Sequence, residues 1–282
     1  MRRSLILHCG PMKTGSTAIQ DLLMEQRSKL LGHGISFYHI RAKNMEQQLK
    51  YVVECELNSN SESILLSSEF FGQVNSDILK PLLAFCDFEK YAIFTARRLR
   101  DIYPSLFLQN LKGSSMRTSS LKSFLLNQLA LDACPDCGRN GQVMNFESLD
   151  LRLSGVGFET HWLRYKKQSL LGDFVGLLAV LSKKKLKSID YVILSQPVGI
   201  SPRRSIRMET AGLARLVNIL AKRGYINKKQ RENIFILLLS FSDFLRVVRP
   251  EAPALSNEFN VKCDELDIKV NQSFLKTKGL AL

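Results

Sequence analysis

Glycine, lysine and hydroxyl side chains are concentrated in one short segment near the amino terminus. The segment reads Gly10-Pro11-Met12-Lys13-Thr14-Gly15-Ser16-Thr17. Gly10 and Gly15 permit backbone conformations and close approaches that a side chain would block. A helix beginning near Ser16 would direct its first N–H groups and the positive end of its dipole at the segment. Lys13 adds a full positive charge, and Ser16 and Thr17 add hydroxyl groups, so the pattern predicts a phosphate-binding loop.

The order of these residues differs from the P-loop of ATPases, in which the lysine follows the second glycine. In this chain Lys13 precedes Gly15. That order resembles the loop with which sulfotransferases bind the 5′-phosphosulfate of PAPS (3′-phosphoadenylyl sulfate), and the bacterial branch of the family is the most similar. The resemblance implies that this cofactor is bound in the loop by Gly10, Lys13, Thr14, Gly15, Ser16 and Thr17. An ordinary strand-to-helix turn rich in small residues is the alternative interpretation of the loop alone.

A candidate carboxylate, Glu69, follows the apolar run Ile64-Leu65-Leu66 and two serines. A strand in that run would deliver the carboxylate to the carboxyl end of a parallel sheet, where such sheets bind their ligands. A Leu-Ser-Ser-Glu-like segment occupies the corresponding strand in sulfotransferases, and the resemblance implies that Glu69 takes the proton from the acceptor hydroxyl. The alternative is that Glu69 caps the following helix, since acidic side chains favour helix amino termini.

An arginine and a serine form a second candidate anion site. Arg97 ends an apolar strand pattern, and Ser105 follows eight residues later in the next predicted helix. We expect Asp101 to cap that helix and Pro104 to lie in its first turn, which would turn Ser105 back toward Arg97. The two side chains could then hold one phosphate from two sides. In sulfotransferases an arginine and a serine so arranged bind the 3′-phosphate of PAPS, whereas a surface arginine and an ordinary helix-start serine are the alternative.

The resemblance implies in-line transfer of a sulfuryl group from PAPS to a hydroxyl of a carbohydrate or another alcohol, leaving PAP (3′,5′-bisphosphoadenosine). Lys13 would stabilise the leaving phosphate oxygen and Glu69 would be the base, with no metal required. Other sulfotransferases use histidine as the base, so His39 and His161 are the alternatives to Glu69. His8 precedes the loop on its strand and is expected to be packed rather than reactive.

Two other functions stay open. One is a small-molecule kinase that uses ATP on a divergent P-loop, although the Gly15-Ser16 junction argues against it. The other is a nucleotide- or polyanion-binding protein without turnover. The chain has 40 Lys and Arg against 26 Asp and Glu, a formal net charge of +14, which favours an anionic partner in every case. Nucleic acid is a weaker interpretation, because the basic residues are scattered and no aromatic residues are interleaved with them.

The remaining composition predicts a cytoplasmic protein. No run of 18 or more apolar residues occurs, and the first strand is too short for a signal peptide and lacks a cleavage site. Six scattered cysteines fit reduced thiols better than disulfides, and Cys134 and Cys137 are interpreted as a turn rather than a zinc site. Arg203 and Arg204 are expected to be solvated, with nucleotide contact as the alternative.

Positioning these candidates requires strands that end at one edge of a sheet. Predicted strands cover residues 4–9, 35–38, 91–97 and 157–165, and a further strand begins at residue 63. Predicted helices cover residues 16–31, 44–57, 76–86, 121–131, 146–153, 173–178, 208–222, 228–247 and 256–274. We therefore expect an α/β fold, P-loop-like and three-layered, with a central mostly parallel sheet flanked by helices. A single domain is expected over 1–282, with nucleotide-binding elements in 1–110 and acceptor-shaping helices and loops in 111–275.

Overall fold

A computed structural model describes residues 3–11, 13–59, 61–112, 118–133, 145–183, 207–248 and 257–280. Two compact units divide the chain. The first comprises Met1–Arg97, Cys134–Ile200 and Val270–Leu282, and the second comprises Arg98–Ala133 and Ser201–Lys269. Several residues with sequence-based interpretations lie outside the described residues, namely Met12, Cys134, Cys137, Arg203 and Arg204. The expectation of a single sulfotransferase-like domain stays a prediction.

The first unit is built on a parallel sheet of five strands. Its strands are β1 (Ser4–His8), β2 (Ile35–His39), β3 (Ser63–Ser67), β4 (Glu89–Ala96) and β5 (Glu159–Arg164). They lie in the order β2-β3-β1-β4-β5, and every pair of neighbours is parallel. The apolar runs in β1 and β3 are fully buried because helices cover both faces of a parallel sheet. The predicted α/β fold with a central parallel sheet flanked by helices is confirmed.

Helices of the first unit pack on both faces of this sheet. They are α1 (Ser16–Glu25), α2 (Arg27–Gly32), α3 (Met45–Leu57), α4 (Ser76–Leu79), α7 (Phe146–Ser154), α8 (Leu170–Leu181) and α12 (Ser273–Thr277). Side chains of α1 and α8 pack around Ile6 of β1. Side chains of α3 and α7 pack around Leu5 and Leu7, on the opposite face. Successive side chains of β1 therefore point alternately to the helices on one face of the sheet and to those on the other.

The second unit is helical in its described part. Its helices are α5 (Leu99–Lys112), α6 (Leu121–Ala133), α9 (Ala211–Lys222), α10 (Lys228–Val248) and α11 (Asn257–Leu266). A 3₁₀ turn, Met208–Thr210, precedes α9, and the chain leaves this unit after α11 within a π-helical segment, Asp267–Gln272. None of the helices among the described residues has the length and apolar character needed to cross a membrane.

Several predicted elements differ from the observed ones; the helix predicted over 256–274, for example, is observed as α11, the π-helical segment Asp267–Gln272 and α12. The helix predicted over 16–31 is interrupted at Gln26, which separates α1 from α2. The helix predicted over 76–86 becomes the single turn α4 and a 3₁₀ helix, Lys80–Ala84, in which Pro81 lacks the N–H that an α-helix needs. The strand predicted from residue 157 begins at Glu159, because Gly157 has a left-handed φ of 86°.

Helix α5 begins two residues before its predicted cap, Asp101. The backbone N–H of Leu99 donates to Asp267 Oδ2 at 2.8 Å, so a carboxylate remote in sequence caps the helix. Asp101 consequently lies in the first turn, and Ser105 lies after Pro104 in the second turn rather than the first. The expected cap is therefore wrong.

The carboxyl end of α5 is held by two buried polar side chains. Asn218 Nδ2 donates to the Leu111 carbonyl at 2.9 Å, and Asn218 Oδ1 accepts from Arg231 Nε at 2.9 Å. The Arg231 guanidinium reaches the Leu111 and Lys112 carbonyls with Nη2, each at 3.4 Å, and its central carbon lies 4.6 Å from the centroid of the Phe235 ring. This arrangement satisfies helix-end carbonyls that burial would otherwise leave unpaired.

We expect Asn218→Ala to lower the free energy of unfolding by about 2 kcal/mol, since it leaves a carbonyl and a charged donor less well paired in a buried site. Urea unfolding of the full chain, followed by far-ultraviolet circular dichroism, measures the change. The control is Asn233→Ala, at an exposed position of α10. A loss no larger than that of the control would show that the Asn218 bonds are not stabilising.

Candidate functional site

The segment between β1 and α1, here called the β1–α1 loop, turns through two left-handed residues. Lys13 has a φ of 67° and Gly15 a φ of 87°. Thr14 is fully buried, and its hydroxyl donates to the Pro11 carbonyl at 2.6 Å. Thr14, expected to bind the cofactor, therefore uses its side chain to close the loop. Its backbone N–H also donates to the Pro11 carbonyl, at 3.3 Å.

Both glycines of the loop are required by close packing. A Cβ on Gly15 would lie 2.3 Å from Leu170 Cδ2 and 3.0 Å from Tyr165 Cε2, and the left-handed φ adds a conformational penalty. A Cβ on Gly10 would lie 2.7 Å from Ser16 Cβ. The loop is thus seated against α8 and the residue after β5, and its base closes tightly on the start of α1.

Glu69 reaches the start of α1 from the end of β3. Ser16 Oγ donates to Glu69 Oε1 at 2.5 Å, and Ser16 is almost fully buried. The alternative role of Glu69 as a helix cap is not observed. Asn75 caps α4 instead, accepting from the Asp77 backbone N–H at 3.1 Å. The predicted proximity of Glu69 to the loop is therefore present in the structure.

Arg97 reaches the loop from the end of β4. Its Nη1 donates to the Lys13 carbonyl at 2.7 Å, and its guanidinium carbon lies 4.5 Å from the centroid of the Tyr165 ring. Side chains from the ends of β3 and β4, the two neighbours of β1, thus both contact the segment from Lys13 to Ser16. Ser105 belongs to the second unit, in α5, and its pairing with Arg97 stays a prediction.

Electrostatically, the site combines two cationic side chains with a helix amino terminus. Lys13 and Arg97 carry the positive charge, α1 begins at Ser16, and Thr17 occupies the next helical position. Glu69 supplies one carboxylate beside them. This combination can hold a multiply charged anion while presenting one group able to accept a proton.

Histidines occupy three different settings in the sheet. His8 is fully buried at the end of β1, where its Nδ1 lies 2.8 Å from Ser67 Oγ and its ring meets the Phe174 ring edge-on at 5.1 Å between centroids. His39 and His161 lie on β2 and β5, neither of which neighbours β1. His161 Nε2 is 3.2 Å from Glu159 Oε1, and burial lowers its pKa. The expectation that His8 is packed agrees with its burial.

Several residues at the site were not anticipated from the sequence. Tyr165 supports the Arg97 guanidinium, Leu170 packs against Gly15, and Ser67 binds His8. The sequence did contain a signal for Ser67. Side chains alternate between the two faces of a strand, so Ser67 is expected on the same buried face as Leu65. Tyr165 and Leu170 carry no such signal, since their role arises only where β5 ends beside β4.

No metal site or disulfide is found in the described part of the chain. No group of three or more His, Cys, Asp or Glu there could hold a metal ion. Four cysteines among the described residues, Cys9, Cys55, Cys86 and Cys263, form no disulfide.

His8 makes folding stability dependent on pH. Burial, together with the charge of His39, lowers the pKa of His8 from its ordinary 6.5 to about 3. Between these values the unfolded chain binds a proton that the folded chain does not, so stability is complete above pH 6.5 and falls as the pH falls toward 3. We expect His8 to contribute a loss of roughly 1.4 kcal/mol per pH unit in this window.

Urea unfolding at pH 7.5, 6.0 and 4.5 measures this dependence in the wild type and in His8→Asn. Carboxylates titrate in both proteins, so the difference between their slopes isolates His8. The matched control is His33→Asn, which removes a partly exposed histidine. Equal slopes for wild type and His8→Asn would contradict a neutral, buried His8.

Comparisons of the chain with protein-family profiles, curated proteins and solved structures find no significant match. The site is therefore interpreted from its own geometry and chemistry.

Proposed function

We propose that the chain is a PAPS-dependent sulfotransferase that transfers a sulfuryl group to a hydroxyl of a carbohydrate or another alcohol. The observation that carries the proposal is the convergence of Glu69 and Arg97 on the β1–α1 loop. Ser16 donates to Glu69, and Arg97 donates to the carbonyl of Lys13. A proton acceptor and a fixed cation thus flank a loop whose residue order resembles that of sulfotransferases.

The topology of the sheet supports a P-loop-like arrangement. β1 lies between β3 and β4 in the sheet. After β1 the chain crosses past β3 to form β2, whereas after β3 it crosses past β1, in the opposite direction, to form β4. The helix after β1 packs on one face of the sheet, while α3 and α7 pack on the other. Such a reversal opens a crevice at the carboxyl ends of the strands, where ligands bind in open α/β sheets.

The proposed chemistry is an in-line displacement at sulfur. The acceptor oxygen forms a bond to sulfur as the bond between sulfur and the 5′-phosphate oxygen breaks, and the acceptor proton passes to Glu69. Lys13 and the amides at the start of α1 neutralise the charge that grows on the leaving phosphate. PAP leaves with both phosphates, and no metal is needed for this balance.

Ser16 links binding of the donor to availability of the base. Its hydroxyl donates to Glu69 in this structure. With the phosphosulfate bound, the Ser16 hydroxyl donates to an anion oxygen, and Glu69 Oε1 is left to accept from the acceptor hydroxyl. Thr17 and Gly15 contribute hydroxyl and backbone contacts at the same helix end.

Arg97 is proposed to bind the 3′-phosphate. A guanidinium has five N–H donors, of which the bond to the Lys13 carbonyl uses one. The ring of Tyr165 fixes the plane of the guanidinium, which favours a directed contact with a phosphate. The same proposal includes a cytoplasmic location and a place in the bacterial branch of the family, as the sequence suggests.

The proposal predicts that PAP binds at least tenfold more tightly than AMP, because only PAP has a 3′-phosphate. Arg97→Ala should weaken PAP binding about 10- to 100-fold while changing AMP binding little. Isothermal titration calorimetry measures both, with exposed Arg27→Ala as the control. Equal weakening of both nucleotides would show that Arg97 only supports the loop, and equal affinity for PAP and AMP would exclude the 3′-phosphate site.

Glu69→Gln keeps the shape of the side chain but removes the proton acceptor. We expect transfer of radiolabelled sulfate from PAPS to a panel of hydroxyl acceptors to fall about 10²- to 10⁴-fold, with PAP affinity retained. Exposed Glu25→Gln should match the wild type. Transfer from γ-labelled ATP instead would favour the kinase, and PAP binding without any turnover would favour a non-catalytic binding protein.

A further inference from the structure

The imidazole of His8 has one nitrogen with a hydrogen-bond partner and one without. Nδ1 lies 2.8 Å from Ser67 Oγ. Nε2 is buried and has no hydrogen-bond partner among the described residues. An unpaired buried polar atom destabilises the folded chain, so a group that persists in this state calls for an explanation.

The hydrogen bond with Ser67 decides which nitrogen carries the proton. If the Ser67 hydroxyl donates to Nδ1, the proton of the neutral ring lies on Nε2, and only that N–H lacks a partner. If Nδ1 instead donates to Ser67, the hydroxyl hydrogen and the Nε2 lone pair both lack partners in the described part of the chain. The first arrangement leaves fewer unpaired groups, so Nε2 is assigned as an N–H donor.

That donor faces the base of the β1–α1 loop. A Cβ on Gly10 would lie 3.1 Å from His8 Nε2 and 2.7 Å from Ser16 Cβ. The absent side chain of Gly10 therefore leaves Nε2 beside the residue that begins α1. Two further buried polar atoms, Thr95 Oγ1 and Arg97 Nε, also have no hydrogen-bond partner within the described ranges, and both lie at the end of β4, the strand paired with β1.

We propose that His8 is an additional anion-binding residue, whose neutral Nε2–H donates to an oxygen of the anion held in the β1–α1 loop. The inference rests on the proposed function and names a further contact in that same site. A neutral donor adds directional binding without adding to the charge already supplied by Lys13 and Arg97. It also explains why a buried polar ring follows the apolar run Leu5-Ile6-Leu7 at the end of β1.

Two substitutions distinguish the contribution of Nδ1 of His8 from that of Nε2. His8→Asn places an amide oxygen near the position of Nδ1, which can still accept from Ser67, but has no group at the position of Nε2. His8→Gln places an amide near the position of Nε2 and gives up the bond to Ser67. The probes are PAP and inorganic pyrophosphate, titrated into the full chain by calorimetry at pH 7.5, with urea unfolding of each variant as the folding control.

We expect His8→Asn to weaken binding of both probes about tenfold and His8→Gln to stay within about threefold of the wild type. Wild-type affinity in His8→Asn would overturn the His8 contact and leave the proposed function standing. If probe binding weakens in both variants in proportion to their loss of folding stability, His8 has a purely structural role. Failure of the wild type to bind either probe would overturn the His8 contact and the proposed function together.

The tautomer provides a test that needs no ligand. In a ¹⁵N-labelled chain, long-range ¹H–¹⁵N correlation spectra distinguish a proton on Nε2 from one on Nδ1. We expect the Nε2–H form at pH 7.5, with addition of PAP shifting the Nε2 resonance. A proton on Nδ1 would overturn the assignment whatever the protein binds.

Discussion

The hydrogen bond from Arg97 to the carbonyl of Lys13 holds the loop on which the proposed site depends. Lys13 has a left-handed φ of 67°, which costs a residue with a side chain about 1–2 kcal/mol. A hydrogen bond from a charged donor contributes about 1.5–3 kcal/mol and offsets that strain. Because the guanidinium itself lies against Tyr165, the conformation of the loop depends on residues at the ends of three strands.

The same edge of the sheet carries buried polar groups where an ordinary core would be apolar. Ser67 and His8 bind each other, and Ser16 binds Glu69, so these side chains have few alternative positions. Fixed donors in a site shielded from water stabilise charge more strongly than mobile ones, because they need no reorganisation when the charge develops. If the proposed function is right, the cost of burying these groups is offset when the donor nucleotide binds.

In the second unit, charged and amide side chains remote in sequence hold both ends of α5. Asp267 accepts from the N–H of Leu99, and Asn218 and Arg231 donate to the Leu111 carbonyl. The two ends of the helix that carries Ser105 are therefore held by α9, α10 and the segment after α11. The local cap signal of Asp101 is overridden because a buried carboxylate satisfies the first N–H two residues earlier.

The sequence by itself determined the α/β class, the five strands and the position of the loop between β1 and α1, because apolar runs, glycines and turn residues act over a few neighbouring positions. The placement of Glu69 and Arg97 near the ends of strands followed for the same reason, since each comes shortly after a strand pattern. Only the tertiary structure decided that Thr14 closes the loop, that Tyr165 and Leu170 support it and that Asp267 caps α5. Those contacts join residues far apart in the chain, and their geometry exists only once the strands have paired and the helices have packed.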